Sequence, residues 1–279
     1  MKLSRIALDG KPGVAISSDQ GVRVLAGADL DTAVAGGEAA LRELHATVER
    51  DGVSVSEGDL RFLPLLDRSR KIICLGLNFF DHASETGNAK PAFPVIFGRF
   101  ASSLIGHEAA MIRPNLSDKL DFEGEMAAII GTAGKDIPVD KALDHVIGYS
   151  VFNDGSLRDY QMMTPQWMPG KNFDATGAFG PWLVSADELP AGGAGLMLET
   201  RLNGEVVQRA STSDMIFDVA NTIALLSTFL TLEPGDVLVM GTPSGVGAAR
   251  KPPLFMKPGD VVEVEIERIG LLRNPIVAE

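Results

Sequence analysis

From residue 71 onward the chain alternates short apolar runs with Gly and Pro turns, at 127–131, 146–152, 182–184, 196–202, 237–240 and 261–266. That alternation is the signature of a mixed, β-rich α+β core. One amphipathic helix is expected over 214–231, where Val219, Ile223, Leu226 and Leu230 recur at helical spacing before the turn Glu233-Pro234-Gly235-Asp236. Upstream, short strands at 3–8, 13–17 and 22–26 precede a helix through Ala40, Leu41, Leu44 and Val48. Polar residues at 50–59 and a basic stretch at 67–70 close this part of the chain. The expected organisation is a small amino-terminal α/β domain at 1–68 and a larger catalytic domain at 69–279.

The formal net charge is −12. An acidic surface repels nucleic acid and anionic membranes, so neither is expected as a partner, and an anionic ligand has to be held by a local positive centre. The one cysteine, Cys74, excludes an internal disulfide and lies in the apolar stretch 71–76, which fits a buried thiol in a reducing compartment. No stretch approaches the ~18 apolar residues that span a bilayer, and residues 1–20 lack the apolar core of a signal peptide. A cytoplasmic address is therefore expected.

Glu123 and Glu125 stand at the mouth of the apolar run 126–130. If that run is a strand, its period of two puts both side chains on one face. Two carboxylates entering an apolar segment repel each other and lose hydration, a cost that a hard divalent cation between them relieves. Asp154 ends the next apolar run and is the candidate third ligand. Oxygen ligands favour Mg2+ or Mn2+, with Ca2+ also admitted, over zinc, and three of them leave positions open for substrate or water. Glu263, Glu265 and Glu267 also share a strand face, but interleaved with Val262, Val264 and Ile266 they read as a solvated face.

Asp154, Arg158 and Gln161 are spaced so that a helical turn would gather them on one side. Arg158 could clamp a carboxylate and Gln161 could donate to a second oxygen, although the pair taken alone reads more readily as surface charge. Lys171 is flanked by Gly and apolar residues, a setting that can carry a lysine inward, while a lone lysine is usually solvated. His82 and Glu85 lie three apart in the polar stretch 81–93, a candidate lid, where the carboxylate could orient the imidazole; two solvated lid residues would look the same. Residues 241–247 follow an apolar run and look like an anion-cradling loop, but match neither a P-loop, a dinucleotide fingerprint nor a serine-hydrolase elbow.

In this order, 76–78 with His82 and Glu85, then 120–125, 148–161, 170–174, 180–182, 202–204, 232–236, 241–247 and 257–260 resemble the fumarylacetoacetate hydrolase family over about residues 70–276. The resemblance implies that family's rolled β-sandwich and a homodimer, with Glu123, Glu125 and Asp154 binding Mg2+ or Mn2+. It further implies that Arg158, Gln161, Lys171 and Thr242 contact substrate and that His82 with Glu85 is a lid acid–base dyad. The stretch 75–78 has no fourth acidic ligand, as in the acylpyruvase-like branch, and Gly124 stands where a bulkier apolar residue is common, which is expected to widen the space behind the metal.

A small anionic 2-oxo acid is then the expected substrate, and hydrolysis of an acylpyruvate to pyruvate and a carboxylic acid through a metal-stabilised enolate the expected reaction, with Lys171 helping to hold the enolate charge. Oxaloacetate decarboxylation or tautomerisation, and dehydration or isomerisation of a 2-keto-3-deoxy acid, use the same enolate. A catalytically silent metal-binding dimer is the non-enzymatic alternative.

Overall fold

The protein is described by a computed structural model at residues 1–8, 10–18, 21–80 and 93–279. Lys2–Leu8, Lys11–Ser18, Gly21–Ala26 and Val53–Val55 form an antiparallel meander, and Lys2–Leu8 pairs in turn with Gly177–Ser185. The large sheet continues from there through Val146–Asn153, Gly124–Ile130, Val237–Val239, Ile72–Gly76 and Val95–Gly98. A second sheet orders Glu205–Ser211, Met197–Leu202, Val261–Ile266, Gly270–Ala278 and Met111–Arg113. The result is the expected β-rich α+β fold.

The unbroken apolar run 126–130 follows from burial on both faces of its strand, since a strand with one wet face would alternate. Met126, Ala128 and Ile130 enter the core shared with Leu198, Leu202, Val262, Val264 and Leu272 of the second sheet. Ala127 and Ile129 enter the opposite core with Leu3, Val14, Ile16, Leu41 and Val48, so the helix Gly37–Asp51 covers that side through Leu41 and Val48. Cys74 is fully buried there.

The helix expected over 214–231 is shorter, Val219–Ser227. Its start is set by Asp218, whose side chain accepts from the Asn221 N–H. The residues before it are drawn into extended pairing instead: Ile216 N–H donates to the Asn78 carbonyl and Phe217 N–H to Asn78 Oδ1. At the other end Lys135 Nζ takes the Ser227 and Thr228 carbonyls. The acidic strand face is half-exposed as expected, with Arg201 bridging Glu199, Glu263 and Glu265. Among the described residues no helix is long and apolar enough to cross a membrane.

Strand register delivers the acidic residues to one place. Gly124–Ile130 and Val146–Asn153 run antiparallel with Gly124 opposite Asn153, so Glu123 and Asp154 sit side by side just beyond the paired ends. The Asp154 N–H donates to the Glu123 carbonyl at 2.9 Å. On the other flank Ala127 pairs with Val239, which brings the Gly241 backbone onto Glu125.

Candidate active site

Glu123, Glu125 and Asp154 are all buried, and one carboxylate oxygen from each lies within 4.8 Å of the others. Two of the three are answered by cations. Lys171 Nζ stands 2.7 Å from both Glu123 Oε2 and Asp154 Oδ2, Arg158 Nη1 reaches Glu123 Oε1 at 2.6 Å, and Arg99 Nη1 pairs with Asp154 Oδ1. Glu125 has no ion pair among the described residues and accepts from the Gly241 N–H at 2.6 Å. Burial, with Asp154 and Glu123 adding like charge, pushes its carboxyl well above the ordinary range. A divalent cation is the group that such a trio fits, because it brings positive charge to Glu125, which has no ion pair among the described residues.

Lys171 is 1 % exposed, so this lysine is carried inward and not left in solvent. Burial disfavours its charge, but Asp154 and Glu123 outweigh that and raise its pKa, which keeps the ammonium protonated. Its Nζ also lies 4.9 Å from the Phe97 ring centroid. Arg158 and Gln161 open the short helix Arg158–Gln161, where Arg158 Nη1 donates to Gln161 Oε1 at 2.8 Å. Asp154 does not share that helical turn, because the strand Ser156–Leu157 intervenes; Asp154 and Arg158 converge through Glu123 instead. The Arg158 Nη2 atom is buried without a hydrogen-bond partner among the described residues. Thr242 is held between Gln208 Nε2, which donates to its hydroxyl at 2.8 Å, and the Gly124 carbonyl, which accepts from it at 3.0 Å. His82 and Glu85 lie outside the described residues.

These groups meet at a cavity of about 370 Å³ lined by Glu123, Glu125, Arg158, Gln161 and Thr242 on the polar side. Leu75, Leu77, Phe97, Met162, Trp167 and Val246 form an apolar wall. Other aromatic and Met residues of these segments stay off the wall: Phe79 is core, and Phe80, Phe93 and Met163 are exposed. The expectation that Gly124 opens space behind the metal does not hold: a Cβ there would meet Thr200 Oγ1 at 2.1 Å and Val264 Cγ1 at 3.0 Å, so the second sheet fills that space. Sequence reasoning missed Arg99 and Asp121, both buried. Each carried the signal that identified Glu123, a charge set at the edge of apolar residues.

Gly170 is fixed by close approach. A Cβ there would stand 2.4 Å from the Gln161 nitrogen and 2.6 Å from its Cα, which are main-chain atoms with nowhere to go. Gly170→Ala is expected to cost about 1–3 kcal/mol in urea unfolding and to displace the neighbouring Lys171. Stability equal to wild type would show that Gly170 does not lie against the Gln161 backbone.

The pattern described as "Fumarylacetoacetate (FAA) hydrolase C-terminal" matches residues 71–277. Oxaloacetate tautomerase fahd2, mitochondrial, of Xenopus laevis is 41% identical over 243 residues, 86% of this chain and 76% of that protein. Among solved structures, a fumarylacetoacetate hydrolase from psychrophilic Exiguobacterium antarcticum is 34% identical with a TM-score of 0.86, covering 100% of both chains. A 2-hydroxyhepta-2,4-diene-1,7-dioate isomerase from Mycobacterium marinum is 32% identical with a TM-score of 0.79, covering 100% of this chain and 99% of that one.

Proposed function

The chain belongs to the fumarylacetoacetate hydrolase family, and from that premise we propose that it interconverts the enol and keto forms of oxaloacetate or a close dicarboxylic 2-oxo acid. Family members are enzymes, which sets aside the silent metal-binding dimer. The observation that carries the reading is the pairing of the carboxylate trio with Arg158. A substrate charged at both ends needs two positive points, and the site offers a metal-binding trio at one and a guanidinium with a spare donor at the other. The 41% identity to a tautomerase points the same way.

Mg2+ or Mn2+ held by Glu123, Glu125 and Asp154 would supply Lewis-acid stabilisation of the negative charge that develops on the 2-oxygen. Lys171 holds a proton at Nζ and offers its ammonium to that same oxygen. Arg158 holds the distal carboxylate through Nη2, and Gln161 fixes the guanidinium plane. Thr242 borders the substrate while its own hydroxyl is locked by Gln208 and Gly124. His82, with Glu85 as its acid–base partner, adds the proton at C3 while the enol oxygen gives its own proton up to solvent, and both return in the reverse direction. We propose a homodimer as the working assembly and a cytoplasmic address.

Hydrolysis of an acylpyruvate is the second reading, favoured by the apolar wall of Leu77, Phe97, Met162, Trp167 and Val246, which would accept an apolar acyl group. The test is the decay of enol-oxaloacetate absorbance with Mg2+ and with chelator, beside product analysis on acetylpyruvate. Mg2+-dependent decay faster than the uncatalysed rate, with acetylpyruvate intact, supports the tautomerase. Pyruvate and acetate from acetylpyruvate, without tautomerase activity, would replace it with the hydrolase.

A further inference from the structure

We propose that Asp121 is a positioning residue, whose carboxylate locks the Arg158 guanidinium and the cavity-wall backbone at Gly247 and Ala248 into one arrangement beside Glu123. Asp121 is fully buried, and its two oxygens face N–H donors alone. Oδ1 accepts from Phe122 N–H at 2.9 Å and Gly247 N–H at 2.8 Å. Oδ2 accepts from Ala248 N–H at 2.9 Å and Arg158 Nε at 2.8 Å.

Its placement is built into the backbone. Leu120–Asp121 pairs with Ser156–Leu157, register Asp121 to Ser156, and the chain turns directly into Arg158. Gly247 is part of the same device, since a Cβ there would stand 2.6 Å from Asp121 Oδ1 and 1.7 Å from the Leu254 carbonyl oxygen. One carboxylate thus joins two cavity walls that lie far apart in sequence, Arg158 and the 246–249 segment. With Nε on Asp121 and Nη1 shared between Glu123 and Gln161, the guanidinium has one end left over, the Nη2 that finds no partner among the described residues. Asp121 therefore acts on the substrate through Arg158 without touching it.

Asp121→Asn keeps the shape but offers one acceptor oxygen where four donors converge, so its amide NH2 must face either Arg158 Nε with Ala248 N–H or the Gly247 and Phe122 N–H groups. The inference rests on reading Arg158 as the anion-holding point, so the probe is Mg2+ with malate, which keeps both carboxylates and the 2-oxygen of oxaloacetate but cannot enolise, titrated calorimetrically into wild type, Asp121→Asn, Arg158→Gln and the double variant. Each single variant is expected to lose about tenfold or more in malate affinity, with Mg2+ affinity held within about threefold. The double variant is expected to bind no more weakly than Arg158→Gln alone. Unchanged malate affinity in Asp121→Asn, or losses that multiply, would overturn the proposal.

Hydrogen exchange at the arginine Nε–H groups of the wild-type protein, read by NMR with Arg158→Gln as the assignment control, adds an arm that needs neither a folded Asp121 variant nor a ligand. The Arg158 Nε–H must exchange more slowly than that of the exposed Arg50; equal rates would sink the clamp. If wild type binds no malate, the dicarboxylic 2-oxo acid reading falls, and the exchange arm still decides the role of Asp121.

Discussion

Glu125→Gln is expected to eliminate Mg2+ binding and to lower kcat/KM by on the order of 10³-fold, while leaving the metal-free protein at least as stable as wild type. The two effects share one cause. Glu125 is the member of the trio without an ion pair among the described residues, and its carboxyl is pushed up by burial and by Asp154 and Glu123. The folded protein then retains a proton that the unfolded chain releases above the ordinary value of 4.5, so metal-free stability is full below that pH and declines as pH rises through the raised native value. Gln cannot ionise, and its amide oxygen can still accept from Gly241. Melting curves in chelator should therefore separate the proteins in favour of Gln at about pH 8 and converge at about pH 4, whereas saturating Mg2+ should stabilise wild type alone. A variant that melts well below wild type in chelator at pH 8 would show that the buried carboxylate is not under electrostatic cost.

How much of this was legible in the sequence depends on the range of the interaction. Glu123, Glu125 and Asp154 could be found because each ends or enters a strand buried on both faces, and a period of two is a local property. Lys171 was ambiguous because its burial comes from Glu123 and Asp154, 48 and 17 residues away, and nothing in its own neighbourhood reports them. Arg99 finds Asp154 across 55 residues in the same way. The helix capped by Asp218 is shorter than the apolar pattern predicts because Met215, Ile216 and Phe217 are apolar, yet a bridge to Phe79 takes Met215 and Asn78 holds the backbone of Ile216 and Phe217. Local pattern thus identified where charge enters the core, and tertiary pairing decided which charges meet.

Lys171→Met is expected to destabilise the metal-free protein by about 3–5 kcal/mol, because it leaves Glu123 and Asp154 buried with one cation fewer. Met keeps most of the length of the aliphatic stem, so packing changes little, while the charge 4.9 Å from the Phe97 ring centroid is lost. The raised lysine pKa means that this contribution is in full force below the ordinary value of 10.5 and is lost only as pH climbs through the higher native value; the deficit should therefore be undiminished at neutral pH. Saturating Mg2+ offers the carboxylates another counter-charge and should recover much of the stability. It should not recover kcat, expected to stay down by on the order of 10²–10³-fold, since the proton at Nζ and the charge it offers to the 2-oxygen are gone. Stability and turnover measured together across a Mg2+ titration separate these roles. If kcat returns in step with stability, Lys171 is a counter-ion for the empty trio and takes no part in the reaction; if neither moves, the ammonium does not sit between Glu123 and Asp154 in solution.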